Sequence, residues 1–185
     1  MNTKNSATDE SAESMTEPIS LSPSMQWFLE LVAGLCAELG CDDPERVLGG
    51  GSLAVAGVDF RLTYLEPIDA QWLVVSCNAV AVPEAAEEEL YLNALERNGC
   101  VNDGYAPVFA LDAELKHVIC LARLRLDTLT VNTLREKLTA FAGLMPELTR
   151  CLMAPRASAA LFAPMEQGGA IDQWRSLGSL EQIRI

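Results

Sequence analysis

The sequence from Leu90 to Gly99 reads LYLNALERNG, the end of a helix that is apolar on more than one face. Its apolar side chains cover most of the helix circumference: Leu90, Tyr91, Leu92, Ala94 and Leu95. A single sheet cannot cover every side of such a helix, and exposed patches of this kind usually mark interfaces. The alternative is a helix enclosed between a sheet and a tail segment. In either case this helix needs a second contact beyond its own sheet.

Three strands are predicted before this helix. In SLAVAGVDFRLTYLEP, residues 52–67, apolar and polar side chains alternate with period two. One face of the run carries Val58, Phe60, Leu62 and Tyr64. Leu53 and Val55 have the opposite parity, which predicts a hairpin turn near Ala56-Gly57. The third strand is AQWLVVSCNAVAV, residues 70–82, bounded by prolines.

Two more strands are predicted after the helix, APVFALD at residues 106–112 and LKHVICLARLRL at residues 115–126. The apolar face of the second contains Val118, Cys120, Ala122, Leu124 and Leu126. Ile119 and Leu121 on its other face are also apolar, and only Arg123 and Arg125 make that face polar. A strand that is apolar on both faces is expected to be covered on both.

Helices are predicted at both ends of this strand pattern. The first follows Ser22 as its cap, with Pro23 at the first position and Gly40 at its end. The apolar middle helix is predicted from about Pro83 to Asn98. The last begins between residues 130 and 133, because Thr133 and Glu136 have capping-box spacing. Pro146 is expected to kink or break it near Met145.

The fold class predicted from this order is α+β, α-β-β-β-α-β-β-α, with a mainly antiparallel sheet flanked by helices. Residues 1–22 are polar and acidic and are expected to be a disordered tail. Residues 23–153 form the folded domain, and residues 154–185 are a C-terminal extension with a short amphipathic stretch of its own.

Charge excludes some partners. The 185 residues have a formal net charge of −13, to which residues 1–22 contribute −3 through Lys4 and four acidic side chains. Such a chain repels nucleic acid and anionic membranes and favours a basic partner. With no apolar run of about 18 residues and no secretory signal pattern, it is predicted to be cytoplasmic.

The sequence contains no convincing active site, so an enzyme, a cofactor or a metal is not expected. The single histidine, His117, falls within a strand, and GGGSLAVAG lacks the Lys-Ser or Lys-Thr of a phosphate loop. Glu87–Glu89 point about 100° apart on a helix and cannot converge on one ion. The six cysteines form no CxxC pair and are predicted to be buried free thiols.

This order of elements resembles the type III secretion chaperones of the Tir-chaperone (CesT-like, class I) family over residues 25–153. The resemblance rests on three stretches: LYLNALERNG with its final Leu-x-x-Asn, VFALDAELKHVICLARLRLDTL at residues 108–129, and LREKLTAFAGLM at residues 134–145. Relative to the minimal family, both tails are additions. The small acidic body also agrees with the family.

The resemblance implies a homodimer that binds an unfolded N-terminal segment of a secreted effector and delivers it to the secretion machinery. It implies no nucleotide, and the ATPase of the secretion apparatus is a further implied partner. Pairing through the middle helix and the strand pair after it would place seven residues at the dimer interface: Leu90, Tyr91, Leu92, Leu95, Cys120, Ala122 and Leu124. A two-fold interface needs one self-complementary patch, which this helix supplies.

The effector is expected to wrap around the first helix and the first strands, as an added strand on a sheet edge or as a helix in an apolar groove. Seven residues are candidates for that surface: Trp27, Leu31, Leu53, Val55, Phe60, Leu62 and Tyr64. Many of them could equally be core. Two other functions stay open, a bacterial adaptor of the same fold that binds a different protein, and a small hydrolase or transferase with a scattered site.

Overall fold

A computed structural model of the chain describes residues 21–66, 71–99 and 107–155. The predicted disorder of the N-terminal tail lies outside these ranges except at its last two residues. The predicted amphipathic stretch of the C-terminal extension and Cys100 also lie outside the described residues.

The described elements confirm an α+β fold with a five-stranded sheet. The helices are α1 Pro23–Leu39, α2 Pro44–Leu48, α3 Glu87–Gly99 and α4 Val131–Leu152. The strands are β1 Ser52–Val55, β2 Val58–Tyr64, β3 Trp72–Ala81, β4 Val108–Asp112 and β5 His117–Arg125. They are paired in the order β1-β2-β3-β5-β4, and every pair is antiparallel. Short 3₁₀ turns at Glu84–Ala86 and Leu126–Thr128 precede α3 and α4.

The predicted hairpin turn is confirmed at Ala56-Gly57. Val55 pairs with Val58, so the loop between β1 and β2 has two residues. Both loop residues have positive φ, 49° for Ala56 and 82° for Gly57. This is the backbone geometry that matches the twist of two antiparallel strands.

The ends of α1 are where the sequence predicts them. The Ser22 hydroxyl accepts a hydrogen bond from the Met25 backbone N–H at 3.1 Å, and Pro23 occupies the first turn. Gly40 ends the helix with a left-handed φ of 68°. A residue without Cβ adopts that conformation at little cost, which is why the chain can turn there toward α2.

The start of α4 lies within the predicted range of residues 130–133, but the predicted capping box and a break at Pro146 are wrong. Its N-cap is Thr130, which exchanges hydrogen bonds with Thr133, so the box lies three residues earlier than the Thr133–Glu136 spacing suggests. Pro146 does not break the helix, which continues to Leu152. A proline inside a helix removes one backbone hydrogen bond and its ring clashes with the preceding turn, which together cost about 3 kcal/mol or more. Buried apolar side chains on both sides of Pro146, such as Met145 and Leu152, offset that cost.

The core lies on one face of the sheet, where α1 and α4 pack together. The rings of Phe60 on β2 and Phe141 on α4 are 5.5 Å apart and fully buried. The helix α3 packs beside β4 and α4. The buried Asn93 fixes it there, because its side-chain amide donates to the carbonyl oxygens of Leu152 at 2.8 Å and Ala154 at 3.0 Å.

Candidate functional site

A shallow pocket of about 330 Å³ opens at the end of the sheet beside the start of α1. It is lined by Pro23, Ser24, Trp27, Gln71, Leu126 and Asp127. We call this surface the Trp27 pocket. Trp27 is 42% exposed, although its indole N–H donates to the Leu126 carbonyl oxygen at 3.2 Å. The hydrogen bond holds the ring at the surface and leaves much of its apolar area in contact with water.

Two further leucines are exposed near the start of α1 and the end of β2. The Ser22 hydroxyl donates to the Glu66 carboxylate, which brings the chain before α1 against the end of β2. Leu21 and Leu65, each next to one of these bonded residues, are 45% and 37% exposed. Sequence reasoning missed both, because Leu21 falls in the polar tail and Leu65 in a proline-bounded loop. No pattern in those segments predicts an apolar surface.

The seven candidate residues of the effector surface separate into two groups. Five are 3%, 3%, 4%, 0% and 2% exposed and belong to the core: Leu31, Leu53, Val55, Phe60 and Leu62. Trp27 is exposed and Tyr64 is half-buried. The structure brings these last two to the same end of the domain, where the Phe28 and Tyr64 rings lie 5.3 Å apart. The buried five can shape this surface from below but offer little area to a partner.

The two edges of the sheet differ. On β4, the Asn98 side chain donates to the Phe109 carbonyl oxygen at 2.8 Å and accepts from the Phe109 N–H at 2.7 Å. This occupies the outward backbone groups of Phe109, which would otherwise be open to another strand. The other edge strand, β1, has a strand partner on the β2 side alone within the described residues. The two edges thus differ at Phe109, and β1 is a candidate edge for an added strand.

The outer surface of α3 is apolar at one prominent position. Leu95 is 66% exposed, the largest value among the exposed large apolar residues that the structure describes. Tyr91 and Leu92 are half-buried, and the Tyr91 hydroxyl donates to Glu87 at 2.7 Å, which raises the pKa of the phenol. Leu90 is buried against the core. Among the predicted interface residues of this helix, Leu95 is therefore available to a partner, and Leu90 is not.

The predicted interface residues on β5 are all buried within one chain. Cys120, Ala122 and Leu124 are 0%, 2% and 7% exposed, and they face the core. The alternate residues Ile119 and Leu121 lie on the outer face and are half-buried. A partner that contacts β5 without opening the core therefore meets the Ile119 face.

Acidic and sulfur side chains do not converge in the described part of the chain, where no group of three His, Cys, Asp or Glu could hold a metal ion. His117 begins β5, and its Nδ1 donates to the Leu115 carbonyl oxygen at 2.7 Å. Glu87–Glu89 are exposed in the first turn of α3, at the positive end of the helix dipole. His117 and Glu87–Glu89 thus have local structural roles.

The five described cysteines are free thiols, three of them buried as predicted: Cys36, Cys77 and Cys120. Burial, with a smaller contribution from Cys41, raises the pKa of Cys36 to about 11, and burial raises that of Cys77 to about 12. Burial also raises the pKa of Cys120. These thiols stay protonated near neutral pH and act as small apolar side chains.

We expect alkylation by iodoacetamide at pH 8 to distinguish these cysteines in the folded chain. The half-exposed Cys41 and Cys151 should react first, and Cys77 at least about a hundredfold more slowly, because so little of it is thiolate. Peptide mass spectrometry measures the rates, with the guanidinium-unfolded chain as control. Equal rates for Cys41 and Cys77 in the folded protein would contradict the burial of β3.

Among the helices in the described ranges, none combines the length and the apolar composition needed to cross a membrane.

Two solved structures are similar to this chain. A chain of the ExsC–ExsE complex has 17% sequence identity and a TM-score of 0.50, covering 75% of this chain and 100% of that one. A chain of the HopA1–SchA chaperone–effector complex has 14% identity and a TM-score of 0.49, covering 71% of this chain and 99% of that one. No curated protein matches the sequence. The ExsC–ExsE match supports the fold, an antiparallel sheet with flanking helices.

The sequence itself matches a family model, that of the Tir chaperone protein (CesT) family, over residues 30–149. The match covers more than half of the 185 residues and runs from α1 through α4. It confirms the resemblance drawn from the element order and from the segments around α3 and β5. The chain belongs to the Tir chaperone protein (CesT) family.

Proposed function

We propose that this chain is a cytoplasmic chaperone of type III secretion that acts as a homodimer and binds an unfolded N-terminal segment of a secreted effector. The observation that supports this most is the exposed apolar surface at the Trp27 pocket on a chain of a chaperone family. An apolar surface of this kind binds an unfolded apolar segment by removing area from water on both sides.

One part of the effector segment would dock at the Trp27 pocket. Tryptophan is common among residues that dominate binding energy, because it offers a large rigid area and a polar N–H. Here the N–H is already satisfied by Leu126, so the ring face is left for the guest. Tyr64 would extend this surface, while Leu31, Leu53, Val55, Phe60 and Leu62 support it from the core.

Another part of the segment would add a strand to β1. In a two-residue hairpin the closing pair Val55–Val58 is hydrogen-bonded, and bonded and non-bonded pairs then alternate. Ser52 and Ala54 therefore direct their backbone groups to the open edge. An extended guest would pair with them, whereas on the other edge strand the outward groups of Phe109 are bonded to Asn98.

The homodimer would form through the α3 surface that Leu95 dominates, with Tyr91 and Leu92 beside it. Two copies related by a two-fold axis would cover each other's helix with a single patch. On the neighbouring strand, Ile119 and Leu121 would take part, with Cys120, Ala122 and Leu124 behind them in the core. The negative charge of the body favours a guest segment that is basic. The secretion-apparatus ATPase would receive the loaded complex.

Co-expression tests the function directly. The chain is produced together with N-terminal fragments of the secreted proteins of its own host, one at a time. We expect one fragment that is insoluble alone to become soluble in a complex of two chains and one fragment, measured by size exclusion with light scattering. Capture of a folded regulatory protein instead, with every effector fragment left insoluble, would favour the adaptor and contradict the chaperone.

The substitution Trp27→Ala is expected to weaken effector binding at least about tenfold, because an aromatic hot spot contributes roughly 2 kcal/mol or more. Titration calorimetry with the bound fragment measures the loss. Met153→Ala is the matched control, since Met153 is 47% exposed and follows the C-terminal end of α4, whereas Trp27 is bonded to Leu126, before the start of that helix. Equal affinities for both variants would remove the Trp27 pocket from the binding surface.

A further inference from the structure

Two cysteines stand at the end of α1, on either side of the glycine that ends the helix. Cys36 lies in the last turn of the helix, and Cys41 follows Gly40 directly. Cys36 is buried, whereas Cys41 is half-buried and packs against the core. The proposed function assigns no role to either thiol. We call these two residues the α1 dithiol.

Backbone hydrogen bonds define the turn that brings the α1 dithiol together. The Cys41 N–H donates to the Cys36 carbonyl oxygen at 2.8 Å, and the Gly40 N–H donates to the Ala37 carbonyl oxygen at 3.4 Å. Together with the left-handed φ of 68° at Gly40, these two bonds form a Schellman motif. In such a motif, side chains at the positions of Cys36 and Cys41 frequently contact each other.

The two thiols interact in this turn. Burial is the main cause that raises the pKa of the Cys36 thiol to about 11, and a hydrogen bond with the Cys41 side chain is the second. The Cys41 sulfur also lies 3.8 Å from the carbonyl oxygen of Asp43, the residue that caps α2. The Cys41 side chain is therefore held between the end of α1 and the start of α2, beside Cys36.

The backbone separation within the α1 dithiol fits a disulfide. Residues paired by backbone hydrogen bonds in antiparallel strands have Cα atoms about 5.5 Å apart. The bond from Cys41 to Cys36 sets a similar separation, because the same covalent bonds link each Cα to the hydrogen-bonded atoms. A disulfide joins Cα atoms about 4.4–6.8 Å apart. The turn can therefore accept a disulfide with little backbone movement.

Exposure differs within the pair in the way that thiol–disulfide exchange requires. A small disulfide in solvent can reach the half-buried Cys41, and Cys41 in turn can be reached by Cys36, which is 1% exposed. Cys77 and Cys120 lack this arrangement, since they are paired across β3 and β5 but are both buried. The α1 dithiol thus combines a reachable thiol with a protected one.

We propose that the α1 dithiol is a modification site, at which a low-molecular-weight disulfide such as glutathione disulfide produces an intramolecular Cys36–Cys41 disulfide. The Cys41 thiolate attacks one sulfur of glutathione disulfide, which forms a mixed disulfide and releases one glutathione thiolate. Cys36 then loses its proton and attacks the Cys41 sulfur, which releases the second glutathione. Two protein thiols are oxidised, and one glutathione disulfide is reduced to two thiols.

The new bond ties the end of α1 to the segment that leads into the sheet. The short helix α2 in this segment packs against α1, β1 and β2. A disulfide that fits the native turn stabilises the folded chain, because it restrains the unfolded chain more than the folded one. Conversely, the fold favours the disulfide, so its equilibrium constant is larger in the folded chain. This proposal does not depend on the chaperone function.

Redox titration with peptide mapping tests the proposal. The full chain, either folded or unfolded in urea, is equilibrated with reduced and oxidised glutathione, and the remaining thiols are blocked with N-ethylmaleimide. Trypsin releases the α1 dithiol in one peptide, residues 5–46, which contains no other cysteine. A glutamate-specific protease then cuts between Cys36 and Cys41, at Glu38, and the fragments stay joined only where the disulfide is present.

We expect the equilibrium constant of the Cys36–Cys41 disulfide to be at least about tenfold larger in the folded chain than in the unfolded chain. Cys77 and Cys120 should remain thiols in the folded chain and serve as the internal control. In a Cys36→Ala variant, Cys41 should retain the glutathione adduct, at least about tenfold above its level in the native chain, because no second thiol displaces it.

Three results would overturn the proposal. An equilibrium constant in the folded chain at or below the unfolded value would show that the native turn does not fit the disulfide. Equal levels of the Cys41 adduct in the native chain and in a folded Cys36→Ala variant would show that Cys36 does not attack it. A covalent dimer through Cys41, detected by nonreducing electrophoresis, would assign this thiol to a contact between two chains.

Discussion

Replacing Leu95 by Asp is expected to convert the proposed homodimer into folded monomers. Leu95 is 66% exposed in the single chain, so the new carboxylate is solvated there and the fold should be kept. In a two-fold interface each copy would bring an unpaired carboxylate into apolar contact with the other. Such a buried charge costs several kcal/mol. The dimer dissociation constant should therefore rise by about a thousandfold or more.

The experiment combines light scattering, for mass, with circular dichroism melting, for folding. Leu115→Asp is the control, because Leu115 is 55% exposed in the turn between β4 and β5 and lies outside the proposed interface. The control should remain a dimer. An unaltered dimer in the Leu95→Asp variant would remove α3 from the interface, and loss of folded signal would show that Leu95 supports the fold itself.

The apolar pattern of β2 shows what a sequence alone can and cannot predict. Alternation correctly groups Phe60, Leu62 and Tyr64 on one face, because side chains of a strand point to opposite sides in turn. It does not say whether that face meets the protein's own helices or a guest. The difference depends on where α1 and α4 pack, and their apolar stripes fit either face equally well. Most of the candidate effector surface proved to be core for this reason.

The same limit applies to β5, but here the sequence contained a usable signal. Both faces of β5 are apolar near its start, and the interface was predicted on the face of Cys120. Arg123 and Arg125 lie on the other face and must reach water, so the face free of charge is the one that packs inside. The two arginines favour the orientation that the structure has, with Ile119 and Leu121 outward.

Helix boundaries were predicted best where one residue type has a clear backbone role. Ser22, Pro23 and Gly40 define α1 because a cap, a fixed φ and a left-handed φ are local properties. The continuation of α4 through Pro146 depends on tertiary packing, which local rules do not contain. The short helix α2 was missed because five residues are too few for an apolar period to appear.

The prediction that the chain is not an enzyme is confirmed by its membership of a chaperone family. The resemblance that led to the family rested on element order and on the segments around α3 and β5. The seven residues predicted for the effector surface and the seven for the dimer interface stay predictions, now ranked by exposure. Trp27 and Leu95 come first because each offers a large apolar area to solvent.

The largest effect on stability is expected at the contact between β2 and α4. The substitution Phe141→Ala should lower the free energy of unfolding by about 3–5 kcal/mol, since it removes a fully buried ring and leaves a cavity. The ring contact with Phe60 at 5.5 Å adds roughly 0.5–1.5 kcal/mol to that loss. This pair joins the sheet to the long helix, so the cavity weakens the core where its two layers meet.

Urea unfolding of the Phe141→Ala variant should show a lower midpoint with an unchanged slope, because the surface exposed on unfolding stays nearly the same. The measurement belongs in a Leu95→Asp background, where unfolding of a monomer does not depend on protein concentration. Thr139→Ala on the exposed side of α4 is the control and should shift the midpoint little. A double substitution with Phe60→Ala separates the ring contact from the cavity, because only residues in contact deviate from additivity. Strict additivity together with a loss below about 1 kcal/mol would mean that α4 does not pack on β2 through these rings.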